Sequence, residues 1–140
     1  MNALYIFYDP HCGLCSSFRH WMEAQHAYVK LTFVAYDSEQ AKQLLPDIAT
    51  RRADEEIIVL GDDGSLWQGG PAWITCLWAL QDYRGWAMSL AKTFPAPVLK
   101  QVVQWISRRR IRLSQLLRLR PDQILARAEV AQCVDGRCKL

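Results

Sequence analysis

The spacing of apolar positions along the chain switches between a period of two or less and a period near 3.6, and the switches predict its elements. Residues 3–8 (ALYIFY) are apolar on both faces, as in a strand covered on two sides. From about Cys12 to Gln25, Leu14, Phe18, Trp21 and Met22 fall at i, i+4, i+7 and i+8, one helical stripe with Arg19, His20 and Glu23 off it. Residues 30–36 (KLTFVAY) return to a strand pattern. Asp37 is placed to N-cap the next helix, with Gln40 closing a capping box, and Ala41, Leu44, Leu45 and Ile48 make its stripe. Pro46 kinks or ends that helix. Residues 56–60 (EIIVL) predict a third strand, Gly61 to Gly64 (GDDG) a turn, and Ser65 to Gln68 a fourth strand pairing back. Pro71 suits the first turn of a helix that carries Trp73, Cys76, Leu77 and Leu80. Beyond Asp82 every pattern is helical. Pro95 and Pro97 mark a break, and Leu99, Val102, Val103 and Ile106 stripe a helix running into SRRRIR. Pro121 opens a last short helix with Ile124 and Leu125.

The order β-α-β-α-β-β-α, a parallel βαβ unit followed by a hairpin and a helix, is the thioredoxin-like order. It places the first strand inside the sheet, in keeping with its two apolar faces. The expected fold is therefore an α/β thioredoxin-like domain over residues 1–84, with a helical extension over residues 85–140 packed on it or appended to it. At 140 residues, 51% apolar, the chain can bury a core without staples. Charge changes this picture in one respect. Residues 1–84 hold 6 Lys and Arg against 11 Asp and Glu, whereas residues 85–140 hold 11 against 3. An acidic first part and a basic second part point to two structural units, or to one unit with a functional extension. The longest uncharged run, Gly64 to Gln81, is broken by Gly, Pro and Gln and is too polar to span a bilayer. No basic segment precedes ALYIF, and Asp9 interrupts the apolar run, so no signal peptide is expected.

Chemistry enters with the cysteines. Five is an odd number, and without an export signal the expectation is reduced thiols in the cytoplasm. Cys12 and Cys15 stand three apart in YDPHCGLC, between the first strand and the first helix. A C-x-x-C pair at a helix N-terminus is made reactive by unpaired backbone N–H groups and the helix dipole, which favour a thiolate. Cys12 is then the nucleophile, facing solvent, and Cys15, one turn on and facing the protein, resolves the mixed disulfide. Asp9 either caps the helix or moves a proton to and from Cys15. His11, if protonated, tunes the thiolate from the turn. Cys76 lies on an apolar helical stripe and is expected in the core.

With Asp9, Cys12 and Cys15 in YDPHCGLC, the sequence resembles the thiol-disulfide oxidoreductase DCC family, named for an Asp followed by the two cysteines of C-x-x-C. The resemblance continues through VAYDSEQAKQLL, the IIVLGDDGSLW hairpin and VVQWISRRRIR, to about residue 112. It implies a thioredoxin-like fold and a redox role; the function expected from the residues is dithiol–disulfide exchange with a protein or small-thiol substrate, with no cofactor. The chain departs from the pattern at Pro10, where family members usually carry Gly. It also has Ala53, Asp54 and Glu55 where thioredoxins place a Pro before the third strand.

Two other classes compete. Cys12 and Cys15 with Cys133 and Cys138 of CVDGRCKL have spacings that zinc accepts, which would make the chain a metal-binding module. Cys133 and Cys138 can equally form a relay pair or stay idle. Arg108, Arg109, Arg110 and Arg112, with Trp86 and Trp105 nearby, could dock a membrane or protein partner. Read plainly, the same cluster is a solvated helix end or a partner for the acidic first part, and nucleic acid is not expected.

Overall fold

A computed structural model describes residues 1–117. Strand β1 (Ala3–Tyr8) leads to helix α1 (Gly13–Glu23), strand β2 (Lys30–Ala35) and helix α2 (Glu39–Leu44). A short 3-10 turn (Ile48–Thr50) precedes the hairpin of β3 (Ile58–Gly61) and β4 (Leu66–Gln68). Helices α3 (Gly70–Ala79), α4 (Arg84–Thr93) and α5 (Ala96–Leu116) follow. The sheet order is β2-β1-β3-β4. Strands β1 and β2 run parallel, with Tyr5 opposite Thr32, and β3 runs antiparallel to β1, with Ile6 opposite Val59. This is the α/β, thioredoxin-like arrangement that the element order predicts, with β1 inside the sheet.

The pleat explains why β1 is apolar throughout. Leu4 and Ile6 point to one face, where they meet Met22 of α1 and Ala72, Cys76 and Ala79 of α3. Phe7 points to the other, against Val34, Ala41, Leu45 and Ile48. Leu4, Ile6 and Phe7 are all fully buried.

Several boundaries move from their expected places, each for a local reason. Helix α2 is capped by Ser38 and not by Asp37: the Ala41 N–H donates to Ser38 Oγ at 3.1 Å. Asp37 instead accepts from the His11 ring. The helix stops at Leu44, ahead of Pro46, and Ile48 reaches the same core from the separate 3-10 turn. Strand β3 begins at Ile58, two residues later than the expected start at residue 56. In its hairpin, Gly64 adopts the left-handed region (φ 84°) and donates its N–H to the Gly61 carbonyl. Gly69, also left-handed (φ 65°), turns the chain from β4 into α3.

Helices α4 and α5 pack back on the domain. Helix α4 lies on α3, and Arg84 at its start stacks on Tyr28 and Trp78, 4.0 and 4.1 Å from the ring centroids. Helix α5 crosses α1 and α3. Its inward face is Val103, Ile106, Arg110, Leu113 and Ser114, of which Val103 and Ser114 are buried. Val102, expected on the stripe, is 51% exposed. The helical period carries the inward face from Val103 and Ile106 to Arg110, not to Val102. No helix among the described residues is long and apolar enough to cross a membrane. The helix expected after Pro121 and the pair Cys133 and Cys138 lie outside the described residues.

Candidate active site

The site is assembled where β1 ends. Asp9, Pro10, His11 and Cys12 form a tight turn, closed by the Cys12 N–H donating to the Asp9 carbonyl at 3.3 Å. Pro10 sits at the second position, where its fixed φ suits such a turn. The residue that departs from the resembling family is thus accommodated by backbone geometry. A second bond tightens the loop: the His11 N–H donates to Asp9 Oδ1 at 2.8 Å. Asp9 therefore does not cap α1. That place belongs to Cys12, whose carbonyl accepts the first helical bond from Ser16 N–H at 3.0 Å.

At the N-cap, Cys12 meets the first-turn N–H groups of α1, and its pKa falls to about 6. The largest cause is the Cys15 thiol, which donates its proton to Cys12. Burial opposes the shift, while the Cys15 N–H, the Arg110 charge and the Leu14 N–H assist it. Cys15 moves the opposite way, well above the ordinary thiol range. Its proton is held by Cys12, its surroundings are desolvated, and the negative charges of Cys12 and Asp9 face it. The two thiols thus divide into one that is ionised near neutrality and one that keeps the shared proton.

Exposure corrects one expectation. Cys12 does not face solvent: it is 2% exposed, whereas Cys15 is half-buried and lines a cavity of about 40 Å³. Leu14, Phe18, Trp73, Ala53 and Ile106 supply the apolar wall of that cavity, and Asp9 and Arg110 supply its charge. Ala53, 4% exposed, stands in the loop where thioredoxins carry their Pro. Its small side chain lines the same cavity as Cys15.

Arg110 is the site residue that sequence reasoning missed. The basic run alone predicts a surface position for it, but it reaches across from α5 and donates through Nη2 to Asp9 Oδ2 at 2.9 Å. The two side chains are 13% and 9% exposed. The acidic first part of the chain does supply an internal partner for the basic second part, and the partner is Asp9. The signal lay in the periodicity: continued from Val103 and Ile106 by four, the inward stripe lands on Arg110. His11 sits in the turn, and its ring is bonded to Asp37 Oδ2 at 3.0 Å, both residues being exposed. Cys76 is fully buried in the core, and burial alone pushes its thiol up to about 12. Among the described residues no third Cys, His, Asp or Glu joins Cys12 and Cys15 in a group that could hold a metal ion.

Comparison with curated proteins and with solved structures finds no match. A family model does match: it covers residues 6–116, from within β1 to the last residue of α5, and so includes the cysteine pair, Asp9 and Arg110. The chain belongs to the DCC1-like thiol-disulfide oxidoreductase family.

Proposed function

We propose that the protein exchanges dithiol and disulfide with a protein or small-thiol substrate through Cys12 and Cys15. The observation that carries this reading is the placement of Cys12 at the N-cap of α1 with Cys15 in the first turn beside it, an arrangement that favours a thiolate at Cys12 and a retained proton at Cys15. With a pKa of about 6, Cys12 is roughly nine-tenths thiolate at pH 7, against about 3% for a thiol at the unperturbed value near 8.5. The thiolate is the nucleophile, so ionisation outweighs the greater exposure of Cys15. The buried position of Cys12 then requires the neighbouring turn or loop to yield for a substrate disulfide to reach it.

Cys12 Sγ attacks one sulfur of the substrate disulfide. The substrate S–S bond breaks, a mixed disulfide forms at Cys12, and the first substrate sulfur leaves as a thiolate and takes up a proton. Cys15 then loses its proton to a base, which we assign to Asp9, and attacks Cys12 Sγ. The second substrate sulfur leaves, and the Cys12–Cys15 disulfide remains. The substrate gains two electrons and the dithiol loses two, and the reverse sequence oxidises a substrate dithiol. Asp9 is placed for the proton because it borders the same cavity as Cys15; His11 N–H and Arg110 hold it there, and one of these contacts has to loosen as the carboxylate takes the proton. His11 contributes through that N–H and, with its ring on Asp37, fixes the turn.

Residues 1–84 carry the thiols in this reading, and the basic extension from residue 85 is packed on them and completes the site. A cytoplasmic setting, where such thiols stay reduced, belongs to the same reading. The outward face of α5 exposes Val98, Val102 and Trp105, with Arg109 over the Trp105 ring at 4.9 Å. That face, with Arg108 and Arg112, is the part we assign to docking on a membrane or partner. Neutralising Arg108, Arg109 and Arg112 together should weaken binding to anionic vesicles while leaving exchange intact.

Single substitutions test the central claim. Cys12→Ser should abolish exchange. Cys15→Ser should leave attack intact but accumulate mixed disulfides at Cys12 that added reductant releases. If Cys15 is alkylated faster than Cys12 near neutral pH, or if no trapped species forms in Cys15→Ser, the pair does not turn over as described.

A further inference from the structure

The buried pair of Asp9 and Arg110 joins residues 101 apart in sequence, and it does so at the wall of the thiol cavity. An arginine held on the inward face of a helix, between Ile106 and Leu113, is costly to desolvate unless the carboxylate it meets compensates it. Asp9 does so through one oxygen, while its other oxygen is committed to the cysteine turn by His11 N–H. We propose that Arg110 is a positioning residue of the thiol centre: from α5 it clamps Asp9 against the C-x-x-C turn and sets the net charge beside Cys12 and Cys15. The basic helix is then a working part of the site and not only a surface for partners. This inference rests on the thiol-exchange reading for its purpose, but its physical content can be measured without turnover.

The charged and titratable groups around the thiols come from every element that packs there. Among the described residues they include Tyr8 and Asp9 where β1 ends, Cys15 in α1, Tyr36 beyond β2, Glu55 in the loop before β3 and Arg110 from α5. Tyr36 is shifted upward, chiefly by desolvation and then by Asp9 and Asp37, so it stays neutral through the range that matters. Near neutral pH, Asp9 and Arg110 together present no net charge to the thiols. Removing either partner leaves a single sign, and removing both restores neutrality. A nearby opposite charge lowers, and a like charge raises, an acidic group's pKa by about 1–3 units.

The test is an order of titration midpoints. Reduced full-length protein is alkylated with iodoacetamide across pH, and modification at Cys12 is followed by mass spectrometry in wild type, Arg110→Met, Arg110→Lys, Asp9→Asn and the double variant Asp9→Asn with Arg110→Met. The Cys12 midpoint should rise by about one unit or more in Arg110→Met, a tenfold fall in the thiolate ratio. It should fall below wild type in Asp9→Asn, and return to within about half a unit of wild type in the double variant and in Arg110→Lys. Should Arg110→Met fail to fold, Asp9→Asn against the double variant measures the same charge with no carboxylate stranded, and the midpoint should differ by about one unit. Midpoints in Arg110→Met within about 0.3 units of wild type would overturn the proposal. So would a shift of Asp9→Asn and Arg110→Met in the same direction, as general loosening of the fold would produce. Disulfide reduction is assayed on the same samples. The expected midpoint order without any exchange removes the redox function and leaves the charge assignment standing. Exchange with unmoved midpoints removes the assignment alone.

Discussion

Arg108, Arg109 and Arg110 are adjacent in sequence and unequal in the fold. Arg108 and Arg109 are exposed, and exposed charge pairs are worth about 0–1 kcal/mol each, so their replacement by Gln should move the unfolding free energy by less than about 1 kcal/mol. Arg110→Gln strands the Asp9 carboxylate in a buried place and should cost about 3 kcal/mol in denaturant unfolding. Equal effects from all three would show that the Asp9 pair carries no stability. The thiols add a pH dependence whose sign follows from their shifts. Cys12 is an acid whose folded pKa, about 6, lies below its unfolded value near 8.5. The stability it contributes is fully present above about pH 8.5 and is lost as pH falls through 6, on the order of 3 kcal/mol in all. Cys15 and Cys76 are shifted upward, so they cost stability once the unfolded chain ionises above about pH 8.5. Reduced protein should therefore unfold at its highest denaturant midpoint near pH 8, lower at both pH 5.5 and pH 10, by about 1 kcal/mol or more. The rise between pH 6 and 8 should vanish in Cys12→Ser, and its persistence there would assign it to another group.

At the scale of elements, α5 has two faces with different work. Val103 is buried and Ile106 half-buried on the inward face, whereas Val102 and Trp105 lie more than half exposed on the other. Ile106→Ala should cost about 1–2 kcal/mol and enlarge the space beside Cys15, while Val102→Ala should stay within about 0.5 kcal/mol. Cys15 alkylation should quicken in the first variant and not in the second, because Ile106 walls its cavity. If both variants behave alike, α5 does not seal the site. Helix α1 makes the complementary contribution. Its apolar stripe against the sheet fixes its direction, and that direction aims its N-terminal N–H groups at Cys12.

At the scale of the molecule, in the thiol-exchange reading proposed above, ionisation of Cys12 sets redox poise. A fold that stabilises the thiolate stabilises the reduced form, and so makes the disulfide more oxidising. With the Cys12 thiol pKa lowered from its ordinary value, the Cys12–Cys15 couple should lie above about −270 mV. Equilibration against a glutathione buffer reads this directly, and a potential at or below −270 mV would contradict the thiolate stabilisation argued from the site. Cys133 and Cys138 lie beyond the matched residues, and their joint change to Ser should leave turnover of a small disulfide within a few-fold.

The sequence by itself determined the order of elements, the central place of β1, the position of Cys12 at a helix start and the core role of Cys76. Each of these follows from local period, turn chemistry or apolar content within a few residues, and such signals survive without knowledge of distant contacts. It also placed a charge asymmetry between the two parts of the chain, but not the contact that resolves it. Tertiary structure decided that Asp9 binds Arg110, that Asp37 turns to His11 and leaves the cap to Ser38, and that Cys12 is covered while Cys15 borders a cavity. These depend on which residues meet across long separations and on which face of α5 turns inward. A guanidinium on an apolar stripe signals a buried partner only once the facing surface is known. Desolvation and the charge across the gap, not the identity of the residue, decide what such a group does.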